Sequence, residues 1–377
     1  MNKKIVALAV LATCATGVTS AQAQSNITIY GSVDQYLGYI KSNSGNKIIG
    51  LNDGSLLRSR IGFRGVETLG NGYEAKFWLE NGFNADTGTG AESSANRLFD
   101  RQAWVGLNTP YGEFRIGRQN TEILAIGAAI DYTERTTFGS IVNNFGVPSR
   151  YDNDISYRTP RIGGLQGVVH YALTELAGQS VGSQAVYQFS LDYTNGPYRA
   201  GYAGLGANPA PSATVTNKVQ YHNLYANYDY GQGKVYATYV RSNNVTASAN
   251  GLNAAAILSN IGTPSTYAGT DPNARRFYNI YQLSADYRVS PQLRVGALYG
   301  VIKDQSGGNA GAKGGNVGAF YDLSKRTTLY SFLSYMQNEA NAGFRFSGSA
   351  GPSANLAGAD VNGRNLTGFQ AGILHRF

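Results

Sequence analysis

Cysteine is almost absent from this sequence, with one residue, Cys14, among 377, and histidine occurs only three times. Cys14 lies in an N-terminal segment with the features of a cleaved leader, so the mature chain is expected to contain no cysteine. Such a chain has no disulfide, no thiolate metal site and no cysteine nucleophile. Backbone pairing and side-chain packing must then hold it together. A lipoprotein leader lipidated at Cys14 is the alternative, and it is disfavoured because Thr13 is a poor residue at the preceding position.

Charged residues and long apolar runs are also scarce. Asp, Glu, Lys and Arg make up 14% of the chain, against about 25% in an ordinary globular domain. The mean hydropathy is −0.26, and beyond the leader no segment is apolar enough for a transmembrane helix. Glycine (48) and tyrosine (27) are abundant. This combination is typical of a membrane β-barrel, in which alternate residues face lipid and water. The net charge is +8, but without a Lys/Arg run in an exported chain no nucleic-acid partner is expected.

The first 23 residues are predicted to be a secretory signal peptide. Lys3 and Lys4 precede an apolar run over 5–12, and small residues follow, ending in Ala-Gln-Ala at Ala23. A charged start, a short apolar middle and an A-x-A end characterise such leaders. The run is too short to span about 30 Å of hydrocarbon, which argues against a membrane anchor. We expect cleavage after Ala23 and one domain over 24–377.

Alternation with a period of two begins at the start of the mature chain. Ile27, Ile29 and Val33 share one phase, whereas Thr28 and Tyr30 share the other. A period of two indicates a strand with one apolar and one polar face. The same pattern predicts sixteen strands, at 27–40, 56–67, 73–84, 98–108, 112–119, 152–158, 165–173, 184–194, 197–205, 219–230, 233–243, 277–288, 292–303, 314–323, 327–337 and 367–377.

The predicted connections alternate between short and long. The short turns are 69–72, 108–111, 159–164, 194–196, 231–233, 290–291 and 324–326; the long connections are 41–55, 85–97, 120–151, 174–183, 206–218, 244–276, 304–313 and 338–366. Outer-membrane barrels have short periplasmic turns and long external loops, and the last strand must pair with the first because an open edge in lipid leaves backbone groups unsatisfied. The prediction is an all-β, 16-stranded antiparallel transmembrane barrel. Sixteen strands leave an aqueous channel, whereas about eight are filled by side chains.

Five motifs are spread in order along the mature chain: Ile29-Tyr-Gly-Ser-Val-Asp34, Arg60-Ile-Gly-Phe-Arg-Gly-Val-Glu67, Arg101-Gln-Ala-Trp-Val-Gly-Leu107, Phe114-Arg-Ile-Gly-Arg-Gln119 and His375-Arg-Phe377. Together they resemble the motifs of the trimeric general porins of β-proteobacteria. The resemblance implies passive diffusion of small hydrophilic solutes and ions across the outer membrane of a Gram-negative bacterium, without a cofactor. It also implies a homotrimer, a second loop (85–97) that reaches a neighbour, and a third loop folded into the barrel. Segment 120–151 lacks the Pro-Glu-Phe-Gly-Gly stretch of many relatives.

Strand phases identify candidate residues of the channel wall. In the second strand Ile61 and Phe63 share the apolar phase, which turns Arg58, Arg60 and Arg64 inward; an arginine facing lipid at mid-membrane costs about 2–4 kcal/mol. With the inward third loop that the resemblance implies, the candidates are Arg58, Arg60, Arg64, Lys76, Arg115, Arg150 and Arg158 on the wall and Glu122, Asp131 and Glu134 on the loop. A basic wall opposite an acidic loop sets a field across the constriction, and charged rings select ions. The hypothesis is a mild anion preference; the alternative is that wall carboxylates simply neutralise these arginines.

The sequence gives little support for other functions. No carboxylate or serine motif accompanies His170 along the chain, and we interpret the histidines, including His222 and His375, as wall residues rather than catalytic bases. The protein is therefore expected not to be an enzyme. A surface adhesin or β-solenoid would show a fixed-period repeat, and none is present. A solute-specific outer-membrane channel remains an open alternative. Outer-membrane lipid, including lipopolysaccharide, is an expected contact of the barrel surface.

Overall fold

The computed structural model describes residues 25–91, 97–134, 138–173, 185–207, 218–243, 277–305 and 307–377. Within these residues, seventeen antiparallel strands form one sheet that closes on itself. The strands are β1 Ser25–Ser42, β2 Lys47–Asp53, β3 Arg60–Gly70, β4 Tyr73–Gly82, β5 Gln102–Thr109, β6 Gly112–Asn120, β7 Arg150–Arg158, β8 Leu165–Ala172, β9 Val186–Asn195, β10 Tyr198–Ala207, β11 Val219–Asp229, β12 Lys234–Ser242, β13 Tyr278–Arg288, β14 Leu293–Asp304, β15 Ala312–Asp322, β16 Thr327–Asn338 and β17 Asn365–Arg376. No helix among the described residues is long and apolar enough to cross a membrane.

Strands β2 and β3 share one position in the barrel, so it has the sixteen strand positions that the sequence predicts. The C-terminal half of β1 pairs with β2, from Gln35↔Asp53 to Lys41↔Lys47. The N-terminal half pairs with β3, from Ser25↔Glu67 to Ser32↔Arg60. A break at 54–59 separates the two strands.

The prediction of a long connection over 41–55 is wrong, because β1 turns tightly into β2. The signal was present in the sequence: Ile49 and Leu51 alternate with Gly50 and Asn52 and are 64% and 58% exposed on the outer face. The break itself is stabilised from β1. The Asp34 carboxylate accepts hydrogen bonds from the Leu56 and Leu57 amides at 2.7 and 2.8 Å, which satisfies backbone groups that the ladder leaves open.

The predicted alternation is otherwise confirmed, with strand ends displaced by a few residues. Large apolar side chains of one phase lie on the outside of the barrel, where Val105 and Ile116 are each 60% exposed and Leu283 is 65% exposed. Exposing these apolar side chains to water would be unfavourable, whereas contact with the hydrocarbon of a membrane is favourable. Polar and charged side chains of the other phase therefore line the interior.

Closure of the barrel joins β1 to β17, in a register that runs from Ser32↔Arg376 to Ser42↔Leu366. The terminal residue completes the ladder: Phe377 and Gly31 exchange two backbone hydrogen bonds of 3.1 Å each. The Phe377 ring lies directly over Gly31, where an added Cβ would come within 2.2 Å of the ring. A side chain at position 31 would therefore displace the last residue from the seam.

The connection after β6 enters the barrel, as the resemblance implies, and carries three short helices, α1 Glu122–Ala125, α2 Gly127–Ile130 and α3 Ile141–Phe145. It contacts the wall from Arg158 of β7 to Gln370 of β17. The Ile130 carbonyl accepts a hydrogen bond from Thr238 at 2.8 Å, and the Ile141 amide donates to Gln282 at 2.8 Å. Apolar side chains of this connection are buried between loop and wall, which gives the barrel an internal core.

Candidate channel wall and constriction

The register of β3 and β4 places several candidate residues on one face. Arg64 lies opposite Trp78 and Gly62 opposite Glu80 in this antiparallel pair. Side chains alternate along a strand, so Arg60 and Arg64 share the inner face with Trp78 and Glu80. Ile61, 39% exposed, belongs to the outer face.

Glu80 is the centre of a cluster that is rich in arginine. Its carboxylate lies 3.6 Å from the Arg60 guanidinium and 2.7 Å from that of Arg101, and it accepts a hydrogen bond from the Tyr30 hydroxyl at 2.7 Å. Arg150, at the start of β7, is partly buried and in electrostatic contact with Arg101, Arg60 and Glu80. Two guanidinium groups thus contact one carboxylate, and with the nearby charge of Arg150 these four side chains carry net positive charge.

Arg101 was missed by the sequence reasoning. It was not among the candidate residues, and the predicted strand began at 98. The observed strand begins at Gln102, and Arg101 precedes it with a side chain free to turn toward Glu80. Arg101 is only 6% exposed.

Arg58, Arg64 and Lys76 differ in their surroundings. Arg58 lies in the break before β3, and its guanidinium donates to the Asn84 side chain at 3.0 Å. The Arg64 guanidinium lies over the Tyr30 ring, 4.6 Å from its centroid. Lys76 forms an ion pair with Glu74 at 3.1 Å. Glu74 lies two positions from Lys76 on the same strand and offsets its charge.

Arg115 and Arg158 lie on neighbouring strands but have different partners. Arg115 pairs with Glu113 at 2.8 Å and covers the Trp104 ring, 4.5 Å from its centroid. Arg158 reaches the third connection and pairs with Glu122 at 2.6 Å. The wall and the loop are therefore joined by an ion pair at this point.

The three acidic candidates of the loop do not form one acidic face. Glu122 pairs with Arg158, as described. Asp131 is 1% exposed, and its carboxylate accepts hydrogen bonds from Ser140 at 2.9 Å and Gln282 at 2.8 Å. Glu134, with a φ of 55°, lines a recess of the lumen together with Arg294. Asp131 thus stabilises the fold of the loop, and Glu134 is the loop carboxylate beside open space.

His170 has carboxylate neighbours that the sequence did not reveal. Its Nδ1 lies 2.7 Å from Asp154, and its Nε2 lies 3.6 Å from Glu122. Burial alone would raise the pKa of Glu122, but the adjacent His170 and the charge of Arg158 outweigh it and lower this pKa. The group joins β7 and β8 to the start of the inward loop. His170 contacts Asp154, 16 positions away along the chain, and Glu122, 48 positions away. No local sequence pattern could indicate these contacts.

The arrangement suits the passage of ions rather than the making of bonds. Fixed guanidinium groups on one part of the wall raise the local concentration of anions and lower that of cations. The inward loop occupies part of the lumen. The carboxylates near His170 hold the loop against the wall.

Known proteins share this architecture over its whole length. The model of the Gram-negative porin family matches residues 7–342. Outer membrane porin protein 32 of Delftia acidovorans is 29% identical over 393 residues, covering 100% of both chains. The solved anion-selective porin from Comamonas acidovorans has a TM-score of 0.75 at 25% identity, covering 94% of this chain and 100% of that one.

A trimer form of OmpT from Vibrio cholerae has a TM-score of 0.61 at 15% identity, covering 94% of this chain and 99% of that chain, and shows the fold alone. The family match covers well over half of the chain and agrees with the closed barrel and its inward loop. The chain therefore belongs to the Gram-negative porin family and is an outer-membrane porin.

Proposed function

We propose that this porin is a general diffusion channel with a mild preference for anions. The observation that carries the preference is the cluster of Arg60, Arg101 and Arg150 around the single carboxylate of Glu80. Arg58 and Arg64 add positive charge to the same stretch of wall. The acidic side chains of the loop offset this charge only in part, because Glu122 is paired with Arg158 and Asp131 is buried.

The test is the reversal potential of single channels in a planar bilayer under a salt gradient. Arg60→Gln removes one positive charge and leaves Glu80 paired with Arg101. A unit charge at roughly 8 Å in water contributes about 0.5 kcal/mol, so the anion-to-cation permeability ratio is expected to fall about twofold or more. Arg326→Gln, in the turn between β15 and β16, is the matched control and should leave the ratio unchanged. An unaltered ratio in Arg60→Gln would exclude this cluster as the selectivity filter.

The remaining parts of the proposal rest on the family. We propose a homotrimer in which the second loop, 85–97, reaches the neighbouring subunit, with lipid and lipopolysaccharide as contacts of the outer surface. We also propose that the chain is made with a signal peptide over 1–23, which lies outside the described residues. No catalytic activity is proposed, because His170 is occupied in holding the loop.

A solute-specific channel is the alternative function. Pores with a bound preferred solute show conductance or uptake that saturates at low solute concentration, whereas a general porin gives a linear dependence. Measuring uptake of small sugars and organic acids into vesicles that contain the porin separates the two. Linear uptake of chemically unrelated solutes supports general diffusion, and saturation by one solute class supports the alternative.

A further inference from the structure

Both tryptophans of the chain, Trp78 and Trp104, lie on the inner wall of the channel. They are directly opposite each other on β4 and β5, with ring centroids 6.0 Å apart. Tyr30 extends this row on β1, and its ring lies 6.2 Å from that of Trp78. Three aromatic rings thus form a row on this part of the inner wall.

Arg64 lies on this aromatic row. Its guanidinium is 4.6 Å from the centroid of the Tyr30 ring and 5.8 Å from that of Trp78, within cation–π range. Its side chain is exposed to the channel. Among the residues that the structure describes, no carboxylate forms an ion pair with Arg64, whereas Arg60, Arg101, Arg115 and Arg158 each have one. The donors of Arg64 are therefore directed to the solution.

The aromatic row is held in place by its own hydrogen bonds. The Trp78 indole donates to the Tyr30 hydroxyl, which in turn donates to Glu80 at 2.7 Å. Tyr30 lies over Gly62, where an added Cβ would come within 2.4 Å of its hydroxyl oxygen. The rings and the guanidinium are thus preorganised, so a ligand would lose little entropy in ordering them.

We infer that Arg64, Tyr30 and Trp78 form a binding site in the channel for planar aromatic carboxylates. The guanidinium fork binds a carboxylate through two parallel hydrogen bonds, and the ring of the ligand stacks on the open face of the guanidinium and the edge of the indole. Acetate can pair with the fork but has no ring to stack, and chloride uses only the charge. The inference rests on the proposed function in one respect, since the ligand must enter the channel.

This site adjoins the cluster around Glu80, which shares Tyr30 with it, but Arg64 is distinct from the arginines of that cluster. Arg64 follows Arg60 by four residues along β3, a distance of about 13 Å toward the short turn after Gly70. The cluster at Glu80 acts on all anions through charge, whereas the site at Arg64 distinguishes anions by shape. A substitution at Arg64 is therefore expected to affect aromatic anions more than chloride.

Intrinsic fluorescence of the folded porin in detergent tests the inference, because Trp78 and Trp104 are its only tryptophans. The probe is para-nitrobenzoate, which quenches tryptophan; para-nitrobenzyl alcohol is the neutral aromatic control, and acetate is added as a non-aromatic competitor. We expect saturable quenching by para-nitrobenzoate, linear collisional quenching by the alcohol, and little competition by acetate.

Variants assign the binding to individual side chains. Arg64→Gln is expected to weaken para-nitrobenzoate binding about tenfold, and Arg64→Lys, which keeps the charge but loses the planar fork, about threefold. Arg288→Gln removes an arginine that lines a different recess of the lumen and should leave the affinity unchanged. Retention of full affinity in Arg64→Gln, or equal quenching by the neutral alcohol, would overturn the inference. Full para-nitrobenzoate affinity in Arg64→Lys would contradict the inferred stacking of the ligand on the guanidinium plane.

Bilayer recordings on the same preparations separate this inference from the proposed function. Anion-selective conductance with purely collisional quenching contradicts the aromatic site alone. Absence of an anion preference with saturable binding contradicts the proposed selectivity and leaves the site standing. If the Arg64→Gln variant does not migrate as a folded barrel, Trp78→Phe takes its place. Trp104 still reports binding by fluorescence in that variant, and we expect a weakened affinity for para-nitrobenzoate. An unchanged affinity would overturn the inferred site.

Discussion

Glu122 is the residue at which the inward loop and the channel wall meet. Its carboxylate lies 2.6 Å from the Arg158 guanidinium and 3.6 Å from the His170 imidazole. The pKa of this carboxyl is lowered despite burial, since those neighbours favour the charged form. A carboxyl with a lowered folded-state pKa stabilises the fold above its unfolded pKa, about 4.3 for Glu, and this contribution is lost as the pH falls through the folded value.

Acid should therefore loosen the start of the loop only below about pH 4, the range set by the ordinary Glu pKa. In single-channel recordings the wild-type porin is expected to show quiet currents at neutral pH and flickering in stronger acid. Glu122→Gln should flicker already at neutral pH, because Arg158 loses its ionic partner. Glu67→Gln, at the periplasmic end of β3, is the control. Identical noise in wild type and Glu122→Gln at every pH would disprove this role.

The inward position of most of these arginines was predicted from the sequence, because an arginine has no acceptable place in lipid. The ion-pair partners of these side chains could not be predicted from the sequence. Arg101 meets Glu80 across 21 positions and His170 meets Asp154 across 16. A long inward side chain has several possible partners within reach, and only the packing of the whole wall decides between them.

At the scale of elements, the third connection depends on its contacts with the wall. Its helices have four or five residues each, too few to be stable alone. Phe138 connects the loop to the connection between β16 and β17 and to the wall: its ring stacks on Phe346 of that connection, with centroids 5.3 Å apart. Its amide donates to Gln370 at 2.9 Å, and its carbonyl accepts from Asn316 at 2.8 Å.

Phe138→Ala is expected to release the loop while the barrel still forms. Truncation of a fully buried phenylalanine costs about 3–5 kcal/mol, and this loss falls on the loop because the strands pair independently of it. Single channels of the variant should show a higher mean conductance and more frequent transitions. Phe189→Ala removes a phenylalanine of the outer face, 45% exposed, and should conduct like the wild type. A quiet, unchanged conductance in Phe138→Ala would contradict the anchoring.

The strands themselves followed from local pattern, and the one misplaced element has a clear cause. Residues 47–53 alternate as a strand should, but the sequence prediction placed them in a connection over 41–55 and began the next strand at 56, inside the observed break at 54–59. The break is stabilised by Asp34, a residue of another strand, through the amides of Leu56 and Leu57. Its existence depends on a tertiary contact, and for that reason local pattern could not separate β2 from β3.

At the scale of the whole molecule, the outer surface requires a hydrocarbon environment or a second subunit. Large side chains such as Leu283, 65% exposed, and Leu333, 55% exposed, would otherwise contact water. A lipid-facing surface and a subunit interface are both apolar, so burial in one subunit does not distinguish them. The proposed trimer is therefore tested by the oligomeric state of the purified porin.

Gel migration tests the trimer. The purified porin is expected to migrate as a trimer on a denaturing gel when unheated and as a monomer after boiling, because closed barrels resist detergent until heat breaks the backbone ladder. Chemical cross-linking of the unheated sample should give the same stoichiometry. Heated and unheated samples that both migrate as monomers, with no cross-linked trimer, would refute the proposed assembly.

The sequence by itself determined the barrel, its number of strand positions, the faces of its strands and the basic character of its wall. Each of these follows from a local rule, the alternation that a lipid and water boundary imposes on a strand. Tertiary structure alone decided the split of the second strand, the anchoring of the inward loop, the partners of each arginine and the placing of Arg64 on Tyr30 and Trp78. Those features join residues that are distant along the chain, and closure of the barrel is what brings them together.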